Sequence, residues 1–420
     1  MTPRDDFELL LTEWMRSRAP RGAPDDLLEA VLDRTARTRR RPPWLIAERW
    51  LPMQLTLYRT YIPRRATLFV VLALVVALAL AAQLAIGSRP KLPAPFGVAG
   101  NGLIAFDAGG QIVVAKPDGS TDQAIPSSFS NTTAPSWSPD GSRVAYWSQP
   151  VHNGPSKLVV ANADGTQAHV VSADLAVIAD VRSVAKWSQD GNRLAFTSMG
   201  DGPEPVYLAS ADGSGIDRLG GDELSRSDPE WAPDGQWLSF VGKVPFSQQY
   251  GLYVARPDGT DEHLLPTSPG SGFAFQGSHW APDPTEERLL YYYGDDGGHD
   301  IGMFDLKTGH ETTVAADPLY DEFWPIWSPD GKQVAFTSMD NDMRIVNADG
   351  TGLRRLPMPL LDPQFNANWM VWSPDGKEVA AFDRYDHAVA ILSVDGSGSP
   401  KLVPAPGAQT GSISWQRVAP

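Results

Sequence analysis

Asp140, Asp190, Asp234, Asp283, Asp330 and Asp375 each stand three places after a tryptophan, in WSPDG, WSQDG, WAPDG, WAPDP, WSPDG and WSPDG. Carboxylates in a set can act as acid and base or hold a cation, but only when they converge on one target within hydrogen-bonding reach. Trp137, Trp187, Trp231, Trp280, Trp327, Trp372 and Trp415 follow one another at gaps of 50, 44, 49, 47, 45 and 43 residues. A steady period in the forties puts each aspartate in its own structural repeat, about 50° from the next if the repeats form a ring. The same residues have a steric use. Proline presets φ, aspartate suits the third turn position, and glycine takes the positive φ that lets the next strand return. The repeated aspartates therefore read as turn builders. Pro284 replaces the glycine after Asp283, so that turn must differ.

Other chemistry is thin. GDDGGHD at 294–300 offers Asp295, Asp296, His299 and Asp300 to a cation, but lacks the spacing of an EF-hand loop and reads as an acidic loop tip. The seven histidines are scattered, and no GxSxG, HExxH, GxxxxGK[ST] or GxGxxG stretch occurs. With no cysteine, disulfides, cysteine nucleophiles and Cys-based zinc sites are excluded. No catalytic residue, metal or cofactor is implied, and the expectation is a non-enzymatic binding protein.

The elements that position these residues are strands. Second Asp-Gly markers (KPDGS at 116, NADGT at 162, SADGS at 210, RPDGT at 256, NADGT at 347, SVDGS at 393, with DLKTG at 305) follow β-branched runs between the tryptophans. Each repeat thus holds two tight hairpins and four strands, the first ending at the tryptophan. Sets of second to fourth strands start near 103, 143, 193, 236, 288, 333 and 378, whereas the tryptophan strands are offset by one. The prediction is an all-β, seven-bladed propeller over 102–418, whose closing blade takes its first strand from 411–416 and the other three from 102–126.

In such a ring the short turns share one face and the variable loops the other, where recognition usually resides. Arg182, Arg226, Asp228, His279, Asp321, Glu322, Trp324 and Asn368 lie in the segments leading into the first strands, near the predicted channel mouth. They are the candidate binding residues, for a protein partner on the outward face.

Residues 67–86, TLFVVLALVVALALAAQLAI, are 20 uncharged positions, the length of a membrane-spanning helix. Arginines crowd the side before it, so the N-terminus is expected in the cytoplasm of a bacterial cell and the propeller outside, on a single-pass protein of the cytoplasmic membrane. The sequence divides into a helical cytoplasmic tail (1–43), a juxtamembrane amphipathic segment (44–66), the transmembrane helix (67–86), a Pro/Gly linker (87–101) and the propeller. With 66 residues before the apolar run, it reads as a retained anchor rather than a cleaved signal. The linker enters on the tight-turn face, which is expected to look toward the bilayer. Residues 1–66 carry a net +4, leaving −19 on the remainder of a chain whose total is −15, a poor surface for nucleic acid. In the tail, Phe7, Leu10, Leu11 and Trp14 share one helical face and Leu28, Val31 and Leu32 another. Two helices that short need a partner for their apolar stripes, or lie on the membrane.

The Trp-Ser-Pro-Asp-Gly repeats with Asp-Gly hairpins resemble the TolB-type propellers, also found in prolyl oligopeptidases. The likeness spans roughly 102–418 and implies the fold more than the function, since such propellers bind proteins, peptides or glycans, or gate a hydrolase. The oligopeptidases' hydrolase domain and its nucleophile are not expected here. DDFELLLTEWM, APDDLLEAVLDRT and RPPWLIAERWLPM are similar to the N-termini of anti-sigma-factor-like membrane proteins, without the Cys/His zinc motif of many of them. That resemblance implies a sigma factor as cytoplasmic partner and an outer sensor domain. The alternatives are a constitutive TolB-like envelope scaffold for protein–protein interaction and an orphan hydrolase propeller.

Overall fold

Runs such as Arg143–Ser148 (RVAYWS) and Lys157–Asn162 (KLVVAN) combine β-branched and aromatic residues with turn chemistry at both ends, and they pair antiparallel from Arg143↔Asn162 to Ser148↔Lys157. The pattern recurs through the computed structural model, which describes Glu13 and residues 97–420 apart from 121, 150–154, 173–183, 199–202, 222–223, 245–248, 268–277, 296–297, 340–341, 357–369, 384–386, 408–411 and 420. The tail apart from Glu13, the juxtamembrane segment and the predicted span lie outside the described residues. Among the described residues no helix is long and apolar enough to cross a membrane.

Seven four-stranded antiparallel sheets form the blades. Blade 1 is composite, as the strand offset predicts: Ile413–Val418 pairs with Gly100–Ala108, followed by Gln111–Ala115 and Asp122–Ala124. The other first strands are Thr132–Trp137, Lys186–Trp187, Arg226–Trp231, His279–Trp280, Glu322–Trp327 and Met370–Trp372, in blades 2 to 7. Every first strand touches those of both neighbouring blades, closing a ring.

The core lies between blades. Trp147 and Leu158 of blade 2 pack on Trp187 and Phe196 of blade 3; Phe382 and Ile391 of blade 7 pack on Phe106 and Trp415 of blade 1. The repeat tryptophans bridge these seams with more than area. The indole N–H groups of Trp187, Trp231, Trp327 and Trp372 donate to the carbonyls of Ser136, Lys186, His279 and Ile326 at 3.0, 3.1, 3.1 and 3.2 Å. Each acceptor is the residue just before a repeat tryptophan one blade back. Arg143, Arg193 and Arg288 lie over the rings of Trp187, Trp231 and Trp327, at 5.0, 5.1 and 5.4 Å.

The tight turns behave as their residues dictate. Gly141 N–H donates to Ser138 O at 2.8 Å with Gly141 at φ +68°, and the turns at Gly191, Gly331 and Gly376 repeat the bond. At Asp283 the turn does differ: Glu286 N–H donates to the Asp283 carbonyl, while Thr285 N–H donates to Oδ1 as in the other turns. Gly141 carries a second constraint, because a Cβ there would sit 2.0 Å from the carbonyl oxygen of Arg417, whereas a Cβ at Gly235, also at φ +68°, meets nothing within 4 Å. Gly235→Ala should cost only the left-handed penalty of about 1–2 kcal/mol. Gly141→Ala should cost clearly more, by displacing the strand that closes the ring; urea unfolding of the two variants against the parent chain measures the difference.

Candidate functional site

The six repeated carboxylates do not converge. Asp140 Oδ1 accepts from Ser138 Oγ at 2.6 Å and from Ser142 N–H at 3.0 Å, and Asp190, Asp330 and Asp375 accept from Ser188, Ser328 and Ser373 in the same way. Burial acts to raise the Asp140 carboxyl, but donation from Ser138 and Ser142 outweighs it and holds it below the ordinary carboxylate range. Their hydrogen-bonding capacity is spent on local turns.

The loop-borne candidates separate into four settings, with Arg182 and Asn368 outside the described residues. Arg226 is buried, grips Glu262 with Nε and Nη2 at 3.1 and 2.8 Å, and donates from Nη1 to the carbonyls of Gly221 and Leu224. It lies over Phe240 and clasps the entry to blade 4. Its donors are engaged within the chain.

Asp228 and Trp324 occupy equivalent places, three residues before a repeat tryptophan and directly before a proline, as does Ala134. All three are left-handed, with φ of 51°, 49° and 52°. A residue before proline is ordinarily extended, so each position stores roughly 1–2 kcal/mol. In each strand the pairing slips by one residue there: Ser227↔Val241 is followed by Glu230↔Ser239, Phe323↔Thr337 by Ile326↔Ala335, and Thr133↔Trp147 by Ser136↔Ala145. These are β-bulges, which bend a strand and re-aim its side chains.

His279 belongs to a charged file across three first strands. Lys186 Nζ is 2.9 Å from Glu230 Oε2 and His279 Nδ1 is 3.8 Å from Glu230 Oε1. Each of the three precedes a repeat tryptophan, so the ring sets them side by side. Burial would raise Glu230, but the charges of Lys186 and His279 bring it down to about 2. Lys186 and Glu230 border an open recess of about 200 Å³ beside the tight turns, together with Trp137, Ser138, Pro139 and Gln189.

Asp321, Glu322 and Trp324 meet blade 5. His299 Nδ1 lies 3.3 Å from Asp321 Oδ2, and the His299 N–H donates to Oδ1 at 3.2 Å. The His299 ring stands 5.0 Å from that of Phe323, which also contacts Tyr292 and Trp324. Glu322 is 1% exposed, its Oε1 is 3.9 Å from Arg344 Nη1, and among the described residues its Oε2 accepts no hydrogen bond. Burial first, and the Asp300 charge second, push the Glu322 carboxyl up to about 7. Asp300 is raised too, by burial and by Asp321. His299 and Asp300 thus serve a seam between blades; among the described residues no three such groups are placed to hold a metal ion. Lys186 and Glu230 share with His279 the place before a repeat tryptophan, a register that could have found them, whereas Arg344, 2.9 Å from Asp317 Oδ2, acquires its role only from the fold.

The family described as TolB beta propeller domain matches residues 106–374. Dipeptidyl-peptidase 5 of Porphyromonas endodontalis is 24% identical over 245 residues, covering 55% of this chain and 33% of its own length. The structure of TolB from Acinetobacter baumannii aligns with 16% identity and a TM-score of 0.45 over 80% of this chain and 70% of that one. A prolyl endopeptidase structure aligns with 14% identity and a TM-score of 0.53 over 75% of this chain and 49% of its own. The likeness to the prolyl endopeptidase structure is one of fold, and the chain spans about a third of the dipeptidyl-peptidase's length.

Two pH responses follow from the carboxyls. Glu322, raised when folded, binds a proton that the unfolded chain has already released between about pH 4.5 and 7, so it lowers stability as pH rises through that window. Glu322→Gln should therefore be more stable than the parent at pH 8 and show no such gain near pH 4.5, by denaturant midpoints. Glu230, depressed when folded, contributes stability above pH 4.5 that is lost as pH falls toward 2. Glu230→Gln should flatten that acid limb in thermal unfolding.

Proposed function

The chain belongs to the TolB β-propeller family, and from that premise we propose that it is a membrane-anchored binding protein whose propeller engages a protein partner outside the cytoplasm. One observation carries the reading. The repeated groups are consumed by turns and seams, while groups that differ between repeats gather across neighbouring blades where the variable segments enter the first strands, as around Asp321. Such non-repeating groups on a rigid scaffold suit recognition.

The anchor in this proposal is the apolar run 67–86, oriented by the arginines before it. The tail, through Leu10 and Val31 and the residues that share their faces, engages a cytoplasmic regulator, with a sigma factor as the class its resemblance implies. A single helix transmits a conformational bias poorly, so clustering of the propellers by their partner is the signal. Leu10→Asp with Val31→Asp should abolish capture of the cognate sigma factor by the full chain; unchanged capture removes the anti-sigma role. If the tail is only an anchor for a constitutive scaffold, replacing residues 1–43 with an unrelated sequence will leave the envelope phenotype intact.

A second reading is favoured by the match to dipeptidyl-peptidase 5: a propeller that serves peptide hydrolysis. Release of p-nitroaniline from dipeptide anilides by the purified chain, co-eluting with it in gel filtration, would replace the binding reading with this one.

A further inference from the structure

Leu319, Met339 and Tyr320 are 79%, 66% and 41% exposed, and they sit together at the entrance to blade 6. The Met339 N–H donates to the Asp321 carbonyl at 2.9 Å, which fastens the loop after Gln333–Ser338 beside the segment that carries Leu319 and Tyr320. Leu319 is presented rather than merely left out. Asp317, Pro318, Leu319 and Tyr320 form a tight turn in which the Leu319 N–H donates to Asp317 Oδ1 at 3.0 Å, and Asp317 and Tyr320 pair as a β-bridge. Asp317 Oδ2 in turn accepts from Arg344 Nη1 at 2.9 Å, and Arg344 is 5% exposed. A buried arginine thus sets the turn, with its guanidinium 5.7 Å from the Tyr320 ring. Large apolar side chains held out in a preformed arrangement are what a partner can bury without ordering cost.

The surroundings select the partner. Asp300, Asp321 and Glu322 lie together at the seam that the turn overhangs. Four carboxyls, Asp300, Asp317, Asp321 and Glu322, meet two basic groups there among the described residues, Arg344 and His299, and the charge of Asp321 adds to burial in raising Asp300. An incoming cation would relieve that excess, whereas an acidic peptide or an anionic lipid surface would add to it.

Resting on the reading of the propeller as protein-binding, we propose that the Leu319–Tyr320–Met339 surface docks a peptide segment of a partner protein that carries a lysine or arginine next to a large apolar side chain. The apolar side chain of the partner packs on Leu319 and Met339, and its cation lies toward Asp321 and Asp300.

The test is selection of random ten-residue displayed peptides on the full chain in detergent, followed by affinity measurement of the enriched peptides as synthetic molecules. The expected result is enrichment of lysine or arginine beside leucine, phenylalanine or tryptophan. Binding should fall at least about tenfold in the Leu319→Ser, Met339→Ser double variant, weaken with added salt, and weaken again in Asp321→Asn. Enriched peptides that bind the double variant as well as the parent would sink this surface while leaving a protein-binding propeller standing. Enrichment of acidic peptides would overturn the charge argument. No enrichment at all would count against both this surface and peptide recognition by the propeller. A dimer of the parent in sedimentation that the double variant abolishes would assign the surface to a second copy of the chain and overturn the proposal.

Discussion

The ring exists because one antiparallel ladder joins the two ends of the propeller, from Gly100↔Val418 to Phe106↔Ile413. Closing a loop of some three hundred residues costs roughly 5 kcal/mol in chain entropy. Each large side chain buried at the resulting seam returns about 1.5–3 kcal/mol, and Ile104, Phe106 and Trp415 are all buried there. The balance therefore favours closure only when the ladder is in register. Gln416 guards that register: its Oε1 accepts from the Leu103 N–H at 3.0 Å and its Nε2 donates to the Gly141 carbonyl at 2.7 Å. The side chain ties the last strand to blade 1 and to the first turn of blade 2 at once. Without it, two blade faces and a strand edge would be open to other chains.

Once the ring is closed, four of the seven repeat tryptophans tie neighbouring blades through their indole N–H groups. An indole that donates to the blade behind, beneath an arginine from that same blade, gives neighbouring sheets one preferred offset rather than a smooth range. The bulges at Ala134, Asp228 and Trp324 depart from this regularity in blades 2, 4 and 6. They are stored cost inside an otherwise repetitive frame, and frames carry such cost where geometry is needed more than stability. At Trp324 the strained residue stands beside the aromatic and acidic cluster of the blade 5–6 seam. Strain, burial of Glu322 and exposed apolar side chains thus occur within one small region.

Legibility differed sharply between fold and site. The seven tryptophans, the two kinds of Asp-Gly turn and the offset of the first strands were enough to place the composite blade, because turn sterics and side-chain alternation act over four to six residues. The altered turn at Asp283 was legible for the same reason. The site was less so. Position within a repeat located Asp321, Glu322 and Trp324, and the structure sets them together; the same reasoning also selected Arg226, whose donors the fold uses up. Asp300 and His299 looked like a loop tip, and only the neighbouring blade gives them Asp321 as a partner. Lys186 and Glu230 are 44 residues apart in sequence and form an ion pair because each stands one place before a repeat tryptophan.

By itself, the sequence determined the blade count, the strand order, the turn chemistry and the all-β class, since each is written in short-range sterics repeated with a period in the forties. It also carries the apolar run 67–86 and the arginine imbalance around it, which are properties of composition. The tertiary structure alone decided which unlike residues of adjacent blades face one another, where burial of a carboxyl such as Glu322 outweighs the partners it gains, and which apolar side chains stay outside. Those outcomes depend on the offset between sheets, which is set by packing at the seams and closure of the ring rather than by any local run of residues.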